Sequence, residues 1–118
     1  MSVVIATINV NGVRAAFRKG MADWLAANDV DILALQEVRA ETSDLETLFG
    51  ENPPAGGGQW NILHDAASAK GRAGVAIISK QAAVASRTTL GPDDFDSAGR
   101  WLEADFKIGT ETITVIST

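Results

Sequence analysis

Apolar residues along this chain follow two periods, and the switch between them marks out the elements. Val3-Val4-Ile5-Ala6-Thr7-Ile8 is a short β-branched run that predicts a strand buried on both faces, and Asn9 to Gly12 ends it. Val13, Phe17, Met21, Trp24 and Leu25 then recur at helical spacing, predicting one amphipathic helix that ends at Asn28-Asp29, with Gly20 as a weak point inside it. Ile32-Leu33-Ala34-Leu35 predicts a second buried strand, stopped by Gln36-Glu37. Strand, helix and strand in this order form a βαβ unit, so the two strands are expected to be parallel with a right-handed crossover.

The rest of the chain reads as mostly strand. Ser43-Asp44-Leu45-Glu46 has the form of a capping box and predicts a short helix through Phe49. Gly50 to Gln59, GENPPAGGGQ, is expected to be an internal surface loop rather than a linker, because apolar strands resume at once. Strands are expected at Trp60–Leu63, Gly74–Ser79 and Val84–Leu90, followed by a polar loop from Gly91 to Gly99. From Trp101 to Ile108 the pattern alternates, with Leu102, Ala104, Phe106 and Ile108 facing inward, which is a half-buried strand. Gly109-Thr110 turns the chain into a last β-branched strand, Thr112–Thr118. Because the sequence stops on this strong strand without a polar tail, the end reads as a cut, or as a strand that borders something absent.

Composition narrows the class. With 118 residues, 46% apolar and 21% charged, the chain has the length and make-up of one globular domain. It has no cysteine, which excludes a disulfide framework and a thiolate metal site and fits a reducing, cytoplasmic setting. The apolar run at the N-terminus is too short for a signal segment and no stretch reaches membrane-spanning length, so no membrane partner is expected. Net charge is −5, which counts against a generally DNA-binding surface, although a basic rim can sit on an acidic body.

The candidate chemistry follows from the βαβ unit. Parallel strands deliver their carboxyl ends to one edge of the sheet, so Asn9, closing the first strand, and Glu37, closing the second, should meet there, with Asn11 on the connecting loop. One carboxylate and two amide oxygens are hard ligands suited to Mg²⁺ or Mn²⁺. The same residues also read as ordinary turn chemistry, with Asn11 capping the helix and Glu37 a solvated loop acid.

Four stretches carry a resemblance. Asn9-Val10-Asn11-Gly12-Val13-Arg14 resembles the motif that opens exodeoxyribonuclease III and the AP endonucleases. Leu35-Gln36-Glu37 resembles the LQE motif of the wider endonuclease/exonuclease/phosphatase superfamily. The stretches from Gly71 to Lys80 and from Gly99 to Phe106 resemble its glycine-rich strand and its GR…AEF strand, in the family's order. The resemblance implies an α/β fold, half of a four-layer α/β sandwich of the deoxyribonuclease I kind, with a mixed sheet and helices on one face. It implies a DNA-repair nuclease, a 3′-5′ exodeoxyribonuclease and apurinic/apyrimidinic endonuclease using Mg²⁺ or Mn²⁺ on double-stranded DNA with abasic sites or 3′ ends. Glu37 would bind metal directly, and Asn9 and Asn11 would complete the cluster, with Asn9 and Glu37 as its catalytic members. Arg14 would contact the DNA backbone, while Arg39 and Arg72 could do so or could be plain surface charges.

Relatives in this family are more than twice as long. The chain would be the N-terminal part of one nuclease domain, without the later tyrosine, the Asp-x-Asn pair and the Asp-His pair. Alone it is expected to be inactive and to expose an apolar sheet face that favours self-association or the missing half. His64, the one histidine, is expected to be an ordinary residue following a strand, and Trp24 to pack on its helix face. Two other readings stay open: a phosphatase or other phosphodiesterase of the same superfamily, and a non-catalytic binding module.

Overall fold

The computed structural model describes residues 2–69, 71–89 and 97–118. The βαβ unit is present, with β1 (Ile5–Asn9) and β2 (Ile32–Gln36) parallel and in a register that sets Asn9 beside Gln36. β4 (Val75–Ser79) and β3 (Asn61–Asp65) complete a mixed sheet of order β1-β2-β4-β3. A second, antiparallel sheet holds β5 (Ala85–Arg87), β6 (Leu102–Ile108) and β7 (Glu111–Ser117).

The central strands explain the layering. β2 and β4 are nearly continuous apolar runs because both of their faces are covered. Leu33, Leu35, Ala76 and Ile78 point to the helices and pack with Val13, Met21, Leu25, Leu45 and Phe49. Their neighbours Ile32, Ala34, Val75 and Ile77 point the other way, to Leu102, Ala104, Phe106 and Val115 of the second sheet. The result is helices on one face of the mixed sheet and an antiparallel sheet on the other. Each fully buried Leu, Ile or Phe in these two cores contributes roughly 1.5–3 kcal/mol.

Several expectations are corrected. The first helix is two: α1 (Val13–Arg18) and α2 (Met21–Ala27), separated where Gly20 adopts φ 116°. Trp24 on α2 is 37% exposed rather than packed in the core. α3 runs from Thr42 to Gly50, and its capping box is formed by Glu41 and Asp44, not by Ser43 and Glu46. Glu41 stays extended; its side chain accepts the Asp44 backbone N–H, and the Asp44 carboxylate accepts the Glu41 backbone N–H at 3.0 Å.

β1 is not buried on both faces. It is an edge strand whose Ile5, Thr7 and Asn9 are exposed, although they share the face of Ile32, Ala34 and Gln36 that receives the second sheet. The apolar exposure expected for a whole sheet face is therefore local, because β6 and β7 cover β2 and β4. β5 is shorter than expected; Leu90 and most of the loop expected at 91–99 lie outside the described residues. His64 lies within β3 rather than after it. Edge-to-face contacts of Phe49 with Phe17 (5.3 Å) and Trp60 (6.1 Å) tie α3 to α1 and to the approach to β3.

Candidate active site

The carboxyl ends of β1 and β2 converge, and the backbone sews their loops together. Val10, Gly12 and Val13 donate N–H bonds to the carbonyls of Gln36, Glu37 and Val38 at 3.0, 2.8 and 2.9 Å. Val38 and Arg39 in turn donate to Gly74 and Ala73 at 3.0 and 2.8 Å, so the segment before β4 joins the same rim. Asn11, Glu37, Arg39 and Ala73 all hold φ between 44° and 51°. Left-handed backbone costs a non-glycine residue energy and collects where the surroundings impose a particular side-chain placement. Here four such residues mark one edge of the mixed sheet.

The side chains meet at Glu37. Asn9 Nδ2 donates to Glu37 Oε2 at 2.5 Å, and Arg39 donates to Glu37 Oε1 at 2.7 Å. Asn9 Oδ1 accepts the backbone N–H of Asn11 at 3.0 Å, which fixes the amide so that its NH₂ faces the carboxylate. Asn11 thus enters the cluster through its backbone, and it does not cap α1, whose N-cap is Gly12 with no side-chain cap bond. The Glu37 carboxyl is held below its usual range first by the Asn9 hydrogen bond, against the desolvation that pushes it up, with Arg39 and then Arg100 adding to the lowering. It is an ionised acid at neutral pH, 37% exposed.

Two openings flank this cluster. A cleft of about 330 Å³ is lined by Asn9, Gln36, Glu37 and Arg100. A larger groove of about 650 Å³ holds Arg14 from α1, Arg39 from the rim and Arg72 from the loop before β4. Glu41 and Asp44 also line it, but both are committed to the cap of α3. The structure therefore brings Asn9, Glu37 and Arg39 into contact, ties Asn11 to Asn9 through its backbone N–H, and gathers Arg14, Arg39 and Arg72 around one groove.

The sequence reading assigned no site role to Arg100 and set His64 aside as an ordinary residue. Arg100 is near enough to act on Glu37 and lies after the turn at 97–99; periodicity carries no signal there, although Gly99-Arg100 opens one of the stretches that resemble the family. His64 Nδ1 is 2.9 Å from Thr42 Oγ1, while its Nε2 is buried without a hydrogen-bond partner and faces Gly74. Burial lowers the His64 pKa, so the ring is neutral at pH 7.

The donor set can be tested against a divalent cation on its chemistry. Glu37 and the amide oxygens are hard oxygen donors, and Mg²⁺ sites commonly use one or two carboxylates, with phosphate and water completing the shell. Among the described residues, no group of three or more His, Cys, Asp or Glu side chains is placed to hold a metal, so a cation here would rest on one acid. The residues fit such an open site and do not fit a closed structural one.

A mixed α/β sheet thus carries an amide-held acid beside an arginine-lined groove. Residues 6–116 match the model of the endonuclease/exonuclease/phosphatase family, and the chain belongs to that family. Within it, the chain is 30% identical over 102 residues to the DNA repair nuclease APEX1 of Danio rerio, covering 86% of this chain and 32% of that protein. It is 31% identical over 100 residues to an exodeoxyribonuclease of Bacillus subtilis, covering 84% of this chain and 36% of that protein. The structure of an AP endonuclease from Archaeoglobus fulgidus superposes with a TM-score of 0.72 at 28% identity, over 96% of this chain and 40% of the other. The chain thus spans about a third of the length of the curated relatives it matches.

Proposed function

We propose that this chain is the cation- and phosphate-holding part of a nuclease domain that hydrolyses DNA phosphodiester bonds, acting as a 3′-5′ exodeoxyribonuclease and AP endonuclease in DNA repair. The observation that carries the reading is the contact of Asn9 with Glu37 at the shared rim of β1 and β2, next to the groove of Arg14, Arg39 and Arg72. The names of the relatives support the DNA-repair branch over a phosphatase.

In this reading Glu37 holds Mg²⁺ or Mn²⁺, with Asn9 and Asn11 oxygens beside it. The cation supplies positive charge against the phosphate oxygens. Asn9 orients the Glu37 carboxylate through its NH₂ group and keeps it ionised. Arg14 and Arg72 bind backbone phosphates of duplex DNA, which positions the strand without reading sequence. The net charge of −5 leaves this groove as a local basic surface on an acidic body. The cytoplasm, where DNA and free Mg²⁺ meet, is the compartment we assign.

Hydrolysis also needs a group that positions and deprotonates water. The Asn9–Glu37–Arg39 cluster offers orientation and charge only, so the 118-residue chain on its own should bind and not turn over. The test is cleavage of an abasic duplex with and without Mg²⁺. No cleavage by the chain alone, with metal-dependent cleavage by a longer protein containing it, is the expected result. Metal-dependent turnover by the 118 residues alone would refute the division of labour, and hydrolysis of phosphomonoesters in place of DNA would refute the substrate.

A further inference from the structure

Arg39 stands at the divide between the two openings. Its guanidinium pairs with Glu37 Oε1 at 2.7 Å, yet the residue also lines the groove of Arg14 and Arg72 rather than the cleft of Asn9 and Glu37. Its backbone is fixed, with φ 51° and the N–H bonded to Ala73 O, so any movement belongs to the side chain. Both oxygens of Glu37 are engaged, one by Asn9 and one by Arg39. Asn9 is locked by its own bond from Asn11, whereas the Arg39 side chain is 45% exposed and its ion pair is of the solvent-screened kind that exchanges at little cost.

We infer that Arg39 is a shared counter-ion that couples the two sites, holding Glu37 when no cation is bound and turning to a phosphate in the groove when a divalent cation takes the carboxylate. This rests on the nuclease reading and adds to it a positioning role and an order of events. A cation on Glu37 and the Arg39 guanidinium repel each other across one carboxylate, so cation binding releases Arg39. A phosphate in the groove draws Arg39 in the same direction and frees Oε1. Each ligand therefore tightens the other, and linkage makes the two effects equal.

Mn²⁺ binding, followed by calorimetry with and without a saturating undamaged DNA duplex, tests the coupling in the wild type and in Arg39→Gln. In the wild type the duplex should tighten Mn²⁺ binding about fivefold or more, the usual range for coupled sites. In Arg39→Gln, Mn²⁺ should bind more tightly than in the wild type without DNA, and the effect of DNA should shrink to less than about twofold, below that range. Unchanged Mn²⁺ affinity in the variant without DNA overturns the inference. So does a DNA effect of full strength in the variant, which would place the coupling in direct contact between cation and phosphate. A wild type that binds both ligands independently overturns the coupling and leaves the nuclease reading standing, while one that binds neither overturns both. Should the variant not fold, the Arg39 Nε–H resonance of the wild type serves instead: it should shift on adding Mg²⁺ in phosphate-free buffer, and an unmoved resonance overturns the inference.

Discussion

Glu37 owes its state to a neighbour with no charge. The Asn9 amide, oriented by the Asn11 backbone, is the leading cause of the lowered Glu37 pKa. A carboxyl lowered in the folded state adds stability above its unfolded value of 4.5, and that stability is lost as pH falls through the lower folded value. Asn9→Ala should move the Glu37 pKa back up toward 4.5, read from the side-chain carboxyl resonance in a pH titration. An unmoved pKa in a folded variant would show that the arginines, not the amide, set it. The meeting of Asn9 and Glu37 was legible in the sequence because strand ends in a parallel pair are fixed by the pattern. The Arg39–Glu37 pair and the left-handed backbone at Asn11, Glu37, Arg39 and Ala73 were not, because local conformation at a loop depends on what the loop is bonded to.

At the scale of elements, the buried strands were read correctly where both faces are covered and incorrectly where the sheet ends. β2 and β4 match their apolar runs; β1 has the same composition, but its place at the sheet edge leaves it half exposed. The helix expected from Val13 to Leu25 keeps its apolar spacing across a break at Gly20, and spacing alone cannot register a turn that preserves the facing. Gly99 is a second position where backbone decides. It has φ 64°, its carbonyl accepts the Gly74 N–H at 2.9 Å, and an added Cβ would lie 2.8 Å from Ala66 C and closer still to Ala67 N. Gly99→Ala should therefore destabilise the fold by about 3 kcal/mol, from strain plus overpacking, measured by urea unfolding. A change under about 0.5 kcal/mol, the range of an ordinary surface substitution, would show that the 66–67 segment yields freely.

For the whole molecule, the fold class was legible from the order of elements and the four motifs, but the way the sheets face each other was not. The second sheet packs over β2 and β4 and leaves Ile5 of β1 46% exposed beside Val4 at 50%. Ile5 shares a face with the buried Ile32, and Val4 precedes it just before β1, so exposed apolar surface lies on and beside an edge strand, which is a site for strand or sheet pairing. The chain should self-associate with rising concentration in sedimentation velocity, and Ile5→Lys should shift it toward monomer. A wild type that stays monomeric at concentrations on the order of 100 µM, where exposed edges ordinarily associate, would show that this strip is tolerated as surface.

The proposed cation site is the rim where Asn9 meets Glu37. The opposite end of β2 offers an internal rival, because Asp29 and Asp31 lie there together, both paired with Lys80. Amide NMR with trace Mn²⁺ separates the two, since paramagnetic broadening falls off steeply with distance. The signals of Asn9, Asn11, Gly12 and Glu37 should broaden first, while those of Asn28, Asp29 and Lys80 stay sharp, and Glu37→Gln should abolish the effect. Broadening centred on Asp29 and Asp31, or an unchanged pattern in Glu37→Gln, would contradict it.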